Sequence, residues 1–86
     1  MLEIVWTQRA ERQLQHVFSE FDRFSPTVAV AWLEEVGTRS SLLAHFPEMA
    51  PVWRQPYRRL LLRRELGLFY TVEPRGIIIA DSIRSR

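Results

Sequence analysis

The apolar residues of this chain change period once, and the change falls at a cluster of prolines. Up to Phe46 they recur at the spacing of helical faces; from Tyr57 onward they form short strand-like groups. Between the two, "PEMAPVWRQP" at residues 47–56 holds three prolines in ten positions. Proline has no N–H to donate and drives the preceding residue towards extended backbone. No helix crosses such a segment, so the chain divides into a helical first part and a sheet-forming second part, with a stiff, irregular connection between them.

The first part opens on "LEIVW", Leu2 to Trp6, a short β-branched strand. Thr7 is placed to cap a helix whose apolar face carries Ala10, Leu14, Val17, Phe18 and Phe21. Ser25 and Pro26 open a second helix, Pro26 at the first helical position where its missing N–H costs nothing. Ala29, Trp32, Leu33, Val36, Leu43 and Phe46 continue its period to Pro47, and Gly37 is expected to let the first helix approach closely. The short stretch from Asp22 to Ser25 makes the two helices an antiparallel hairpin.

The second part reads as strands over Tyr57–Arg63, Gly67–Val72 and Ile77–Ile83. Turns are expected at Arg64–Leu66 and at Pro74–Gly76, with Gly76 adopting positive φ. Turns this short imply an antiparallel meander. The expected fold is α+β, in the order β-α-α-β-β-β: an N-terminal strand, a two-helix hairpin, then a three-stranded antiparallel meander. Two helices cover only one face of that sheet.

A chain of 86 residues is read as one domain, 1–86. It has no cysteine, which excludes disulfides and thiolate metal sites, and its two histidines, His16 and His45, are far apart in sequence, so no metal or cofactor is expected. No apolar run approaches the roughly 18 residues of a membrane span. The start, Met1-Leu2-Glu3-Ile4, lacks the basic region of a secretory signal, so a soluble cytoplasmic protein is expected.

Charge is the strongest functional signal. All twelve basic residues are arginine. Residues 1–53 carry four arginines against seven acids, and residues 54–86 carry eight against three. Such polarity suggests an acidic partner or nucleic acid. Alternation places Tyr57, Arg59, Leu61 and Arg63 on one face of their strand and Arg58, Leu60, Leu62 and Arg64 on the other. In the last strand, Ile77, Ile79, Asp81 and Ile83 oppose Ile78, Ala80 and Ser82. The uncovered face is therefore expected to interleave aliphatic side chains with arginines, a pattern typical of binding surfaces. Trp53 and Arg54 in the proline segment join it as contact candidates. Trp6 and Trp32 follow element periods and are expected in the core, and Asp81 is expected to pair with an arginine.

The ordered sum of several pieces resembles the RelE/ParE toxin superfamily of bacterial type II toxin–antitoxin modules. These are "WTQRAERQLQHVF", "SPTVAVAWLEEV", "LLAHFPEMAP" and "YRRLLLRRELGLFYTVEPRGIIIADSIRSR", the last with an arginine strand and a G-x-x-Y-x-V strand; together they span nearly the whole chain. The Ser-Pro helix start and the long hairpin are closer to the ParE-like branch and to proteins labelled plasmid stabilisation. Where that branch often closes on "LHGxR", this chain reads Ile83-Arg84-Ser85-Arg86, with Arg84 at the histidine position and Arg86 at the closing arginine. The departure bears on activity rather than fold.

The resemblance implies one of two activities. ParE-like members act on DNA gyrase; RelE-like members cut messenger RNA in the ribosome. For RNA cleavage it implies Arg58, Arg59, Arg84 and Arg86 with Tyr57 or Tyr70. Arginines suit phosphate stabilisation but are poor bases, and no efficient acid–base pair is visible, Tyr70 reading first as a core aromatic of its strand. The leading expectation is a ParE-like toxin that inhibits its target by binding. Its partner is a small antitoxin with an acidic, apolar tail, forming a hetero-oligomer. The contact residues are expected to be Trp53, Arg54, Arg58, Arg59, Leu60, Leu62, Arg63, Arg64, Arg84 and Arg86. A ribosome-dependent ribonuclease and a degenerate, non-toxic antitoxin-binding member are the alternatives.

Overall fold

Thr7 starts the first helix as its sequence suggests. The hydroxyl accepts from Ala10 N at 3.0 Å and donates to Ala80 O at 2.9 Å, so one side chain caps the helix and ties it to the sheet. The computed structural model describes residues 2–85. Strand β1 (Glu3–Trp6) leads into α1 (Gln8–Phe24), and Ser25 separates it from α2 (Pro26–Ser41), accepting from Val28 N at 3.3 Å with Pro26 at the first helical position. Helix α2 ends earlier than the proline suggests. A single 3₁₀ turn, Leu42–Ala44, carries the chain on to Pro47. Gly37 does not bring the helices together, because nothing lies within 4 Å of where its Cβ would stand.

Four further strands follow: β2 (Val52–Arg54), β3 (Tyr57–Leu62), β4 (Leu66–Glu73) and β5 (Gly76–Arg84). The sheet order is β1-β5-β4-β3-β2, with β1 parallel to β5 and the other pairs antiparallel. The expected meander is therefore correct. Its addition is β2, a three-residue edge strand inside the segment read as irregular, paired to β3 through Val52 and Arg54. The Gln55–Pro56 peptide between the two strands is cis.

Both helices lie on one side of the sheet. Between the layers sit Ala10, Val17 and Phe21 of α1, Ala29, Trp32 and Val36 of α2, and Leu60, Leu62, Leu66, Leu68, Tyr70, Ile77 and Ile79 of the strands. Each large aliphatic side chain removed from water here contributes about 1.5–3 kcal/mol. Phe21 meets Trp32 edge-on, ring centroids 5.0 Å apart.

Alternation in β5 breaks at a bulge. Asp81 pairs with Phe69 while Ile79 pairs with Tyr70, leaving Ala80 without a partner in β4. Beyond it, the side chains exchange faces relative to strict alternation. Ser82 turns inward, its hydroxyl donating to Ala10 O at 2.7 Å, and Ile83 turns outward. Asp81 pairs with Arg9 at 2.8 Å, as expected, and accepts from Gln13 Nε2.

Candidate functional site

Register locates the uncovered face. Leu60, Leu62, Leu66, Leu68 and Tyr70 point to the helices, so their strand neighbours point away. Arg59 lies opposite Phe69, and Leu61 opposite Gly67, which in turn faces Ile83 across β4 and β5. The same side of the sheet carries Thr71, Ile78 and Val5 in a row towards β1. At the other edge Trp53 meets the Phe69 ring edge-on at 4.8 Å, and the Arg54 guanidinium stacks on Trp53 at 4.9 Å. Val5, Leu61, Ile83, Trp53 and Tyr57 are all substantially exposed, Leu61 most of all at 52%. The face carries these apolar side chains with the stem of Arg59 lying beside Gly67. None of the ion pairs among the described residues involves Arg59.

The arginines expected together on this face are dispersed. Arg58 points to the helix side, where its Nη1 donates to Ala50 O at 2.8 Å and its Nη2 lies 3.9 Å from Glu48. It fastens the proline segment to the sheet, on the side opposite Arg59. Leu60 and Leu62, expected as contacts, are core residues at 6% exposure each; Leu61, one position between them, is the outward leucine. Strict alternation from Arg59 identifies it. Arg63 is exposed and lies 3.4 Å from Glu35 of α2, a solvated pair that contributes little. Arg86 lies outside the described residues.

Arg64 and Arg84 form a separate group at the helix-side end of the sheet. Arg64 has φ 59 and the following Glu65 φ 61, so two consecutive non-glycine residues are left-handed, at a cost on the order of 1–2 kcal/mol each. This turn directs Arg64 O towards Arg84, whose Nε donates to it at 3.2 Å. Both guanidiniums then stack on Phe21, 5.2 Å and 4.9 Å from the ring centroid. Arg84 also lies 3.8 Å from Glu20.

Tyr70 is fully buried, and its hydroxyl donates to Pro47 O at 2.8 Å. Burial raises the pKa of the phenol above its usual 10.0, opposed by the Ala50 backbone and the Arg58 charge and reinforced by Glu48. A buried, neutral phenol under the proline segment reaches no substrate, which removes Tyr70 from the catalytic candidates. Because the folded state holds this proton more tightly than the unfolded chain, its contribution to stability is complete below about pH 10 and is lost as pH rises through the folded-state value. Tyr70→Phe is expected to cost about 1 kcal/mol at neutral pH and to flatten the alkaline decline, as read by urea unfolding between about pH 8 and pH 11.

These features define a class of small α+β proteins: a helical hairpin on one side of a mixed five-stranded sheet, the other side carrying exposed apolar side chains together with Arg59 and Arg54. The sequence profile of the family described as "ParE toxin of type II toxin-antitoxin system, parDE" matches residues 4–86, and the chain belongs to that family, a ParE-type toxin. Among solved structures, a chain from a chromosomal ParDE toxin–antitoxin system of P. aeruginosa has the same fold. It superposes with a TM-score of 0.84, covering 100% of this chain and 98% of its own, at 20% identity. No curated protein matches at a significant level. No helix among the described residues is long and apolar enough to cross a membrane.

Proposed function

We propose that this ParE-type toxin inhibits DNA gyrase by binding, and that a cognate antitoxin neutralises it by covering the open face of the sheet. The observation that carries the reading is that face: Leu61, Ile83, Val5 and Trp53 are exposed around Arg59, which forms no ion pair among the described residues, on the side of the sheet away from α1 and α2. An antitoxin tail with apolar residues would fill the surface, and a carboxylate would meet the guanidinium in a partly desolvated setting where the pair is strongest.

Binding is favoured over RNA cleavage because the cleavage candidates among the described residues are divided between the two faces of the sheet, with Tyr57 and Arg59 alone sharing the open one. Tyr70 and Arg58 are engaged beneath the proline segment, Arg59 is on the opposite face, and Arg84 is stacked on Phe21. General acid–base chemistry requires its groups within hydrogen-bonding reach of one bond. In a supercoiling assay the purified toxin is expected to inhibit gyrase, with activity restored on adding the product of the neighbouring small reading frame. Ribosome-bound messenger is expected to remain intact. Cut messenger beside normal supercoiling would overturn the reading.

A further inference from the structure

The groove at the hairpin tip has more cation than its own residues neutralise. It is an open cleft of about 850 Å³ between the end of α1, the start of α2 and the β3–β4 turn. Arg23, Arg64 and Arg84 line it, against the single carboxylate of Glu20. Among the described residues neither Arg23 nor Arg64 forms an ion pair, and the Glu20–Arg84 pair is long at 3.8 Å. Arg64 and Arg84 are nonetheless fixed in place, both stacked on Phe21 and joined by the bond from Arg84 Nε to Arg64 O. Two like charges on one ring repel each other, and the left-handed turn at Arg64 and Glu65 that brings them there is itself unfavourable. Beside them Phe24 is 92% exposed, the most exposed large apolar side chain among the described residues, and Val28 is 37% exposed.

We propose that this groove is a second docking site, specific for an acidic protein segment that sets one carboxylate between Arg64 and Arg84 and an aliphatic side chain against Phe24 and Val28. Glu20 already shows a carboxylate at the Arg84 position, loosely held and displaceable. A guanidinium stacked by its face keeps its N–H edge free for a bidentate carboxylate. The Phe24–Val28 rim adds aliphatic area that a leucine side chain of such a segment fills, and an RNA control tests the rival occupant, a base stacked on Phe24. The site lies on the helix side of the sheet and does not depend on the open-face reading.

Fluorescence anisotropy with a short synthetic peptide alternating leucine and glutamate tests it. Controls are the same peptide with glutamine for glutamate and a single-stranded RNA of similar length. The acidic peptide is expected to bind and the amide peptide not to. Arg64→Gln, Arg84→Gln and Phe24→Ser should each weaken binding by about tenfold or more. Arg75→Gln, which removes the same charge from the distant β4–β5 turn, should leave it unchanged. Phe24 is almost wholly exposed, so its replacement leaves the fold intact and a loss there reports contact. Undiminished binding by Phe24→Ser and Arg64→Gln, an equal loss with Arg75→Gln, or tighter binding of the RNA than of the acidic peptide would each overturn the proposal.

Discussion

Gly76→Ala is expected to break the pairing of β1 with β5 and to destabilise the protein by about 2–4 kcal/mol. A Cβ at this position would fall inside the van der Waals sphere of the Glu3 carbonyl oxygen and press on the Glu3 carbonyl carbon at 3.2 Å. The obstacle is backbone, so no side-chain rotation relieves it. Gly76 is also held from the other side by its pairing with Glu73 across the turn, which prevents β5 from retreating. The only escape is separation of Glu3 from β5 at the first pair of the parallel ladder. Total stability for a chain of this size is about 4–13 kcal/mol, so a loss of this size is a large fraction of it. Gly67→Ala is the matched control. Its nearest neighbours would be the Phe69 ring at 3.3 Å, Ile83 O at 3.5 Å and the Arg59 stem at 3.6 Å. The first and last are side chains that can shift, and its cost should stay below about 1 kcal/mol. Denaturant unfolding gives the energies, and amide exchange at Glu3–Trp6 locates the damage. Wild-type stability with β1 amides still protected in Gly76→Ala would contradict this account of the glycine.

That glycine also marks where sequence reasoning fell short. From sequence, Gly76 reads as the left-handed residue of a tight turn, yet no described glycine has positive φ. The left-handed residues are Arg64 and Glu65, side chains that carry no such signal. What Gly76 permits is approach by Glu3, distant in the chain, and no local pattern records that. Local features were legible: the Thr7 and Ser25 caps, the amphipathic α1, the antiparallel order of β3, β4 and β5, and the core positions of Trp32 and Tyr70. Features made by distant pairing were not. Strand β2 exists because Val52 meets β3, although the prolines around it argue against a strand. The bulge opposite Phe69 and Tyr70 has no glycine or proline to announce it, yet it decides that Ser82 turns in and Ile83 turns out. The site suffered from the same cause. Arginine is long enough to leave its strand's face, so the parity of Arg58 gave its direction but not its partners, Ala50 O and Glu48.

Arg59→Glu and Leu61→Asp are expected to weaken antitoxin binding by roughly 30-fold or more each, the loss usual for an interface anchor. Arg59 lies across the sheet's centre, its stem over Gly67 and beside the Phe69 ring, with no ion pair of its own among the described residues. An acidic tail that covers this face removes water from the guanidinium, and a glutamate in its place turns an attraction into a repulsion between partly buried charges. Leu61 contributes by area: at 52% exposed it is the largest aliphatic gain available to a partner in the middle of β3. Neither substitution disturbs the core, so unfolding midpoints should stay within about 0.5 kcal/mol of wild type. The two should differ in kinetics. Arg59→Glu should slow association and reduce its salt dependence, whereas Leu61→Asp should chiefly speed dissociation. Arg58→Gln gives the opposite pattern, because its guanidinium serves the proline segment: stability falls and affinity for the antitoxin holds. Surface plasmon resonance on the four proteins separates these outcomes. Full affinity in both Arg59→Glu and Leu61→Asp would mean that the antitoxin docks elsewhere, leaving the apolar face without the partner that its exposure calls for.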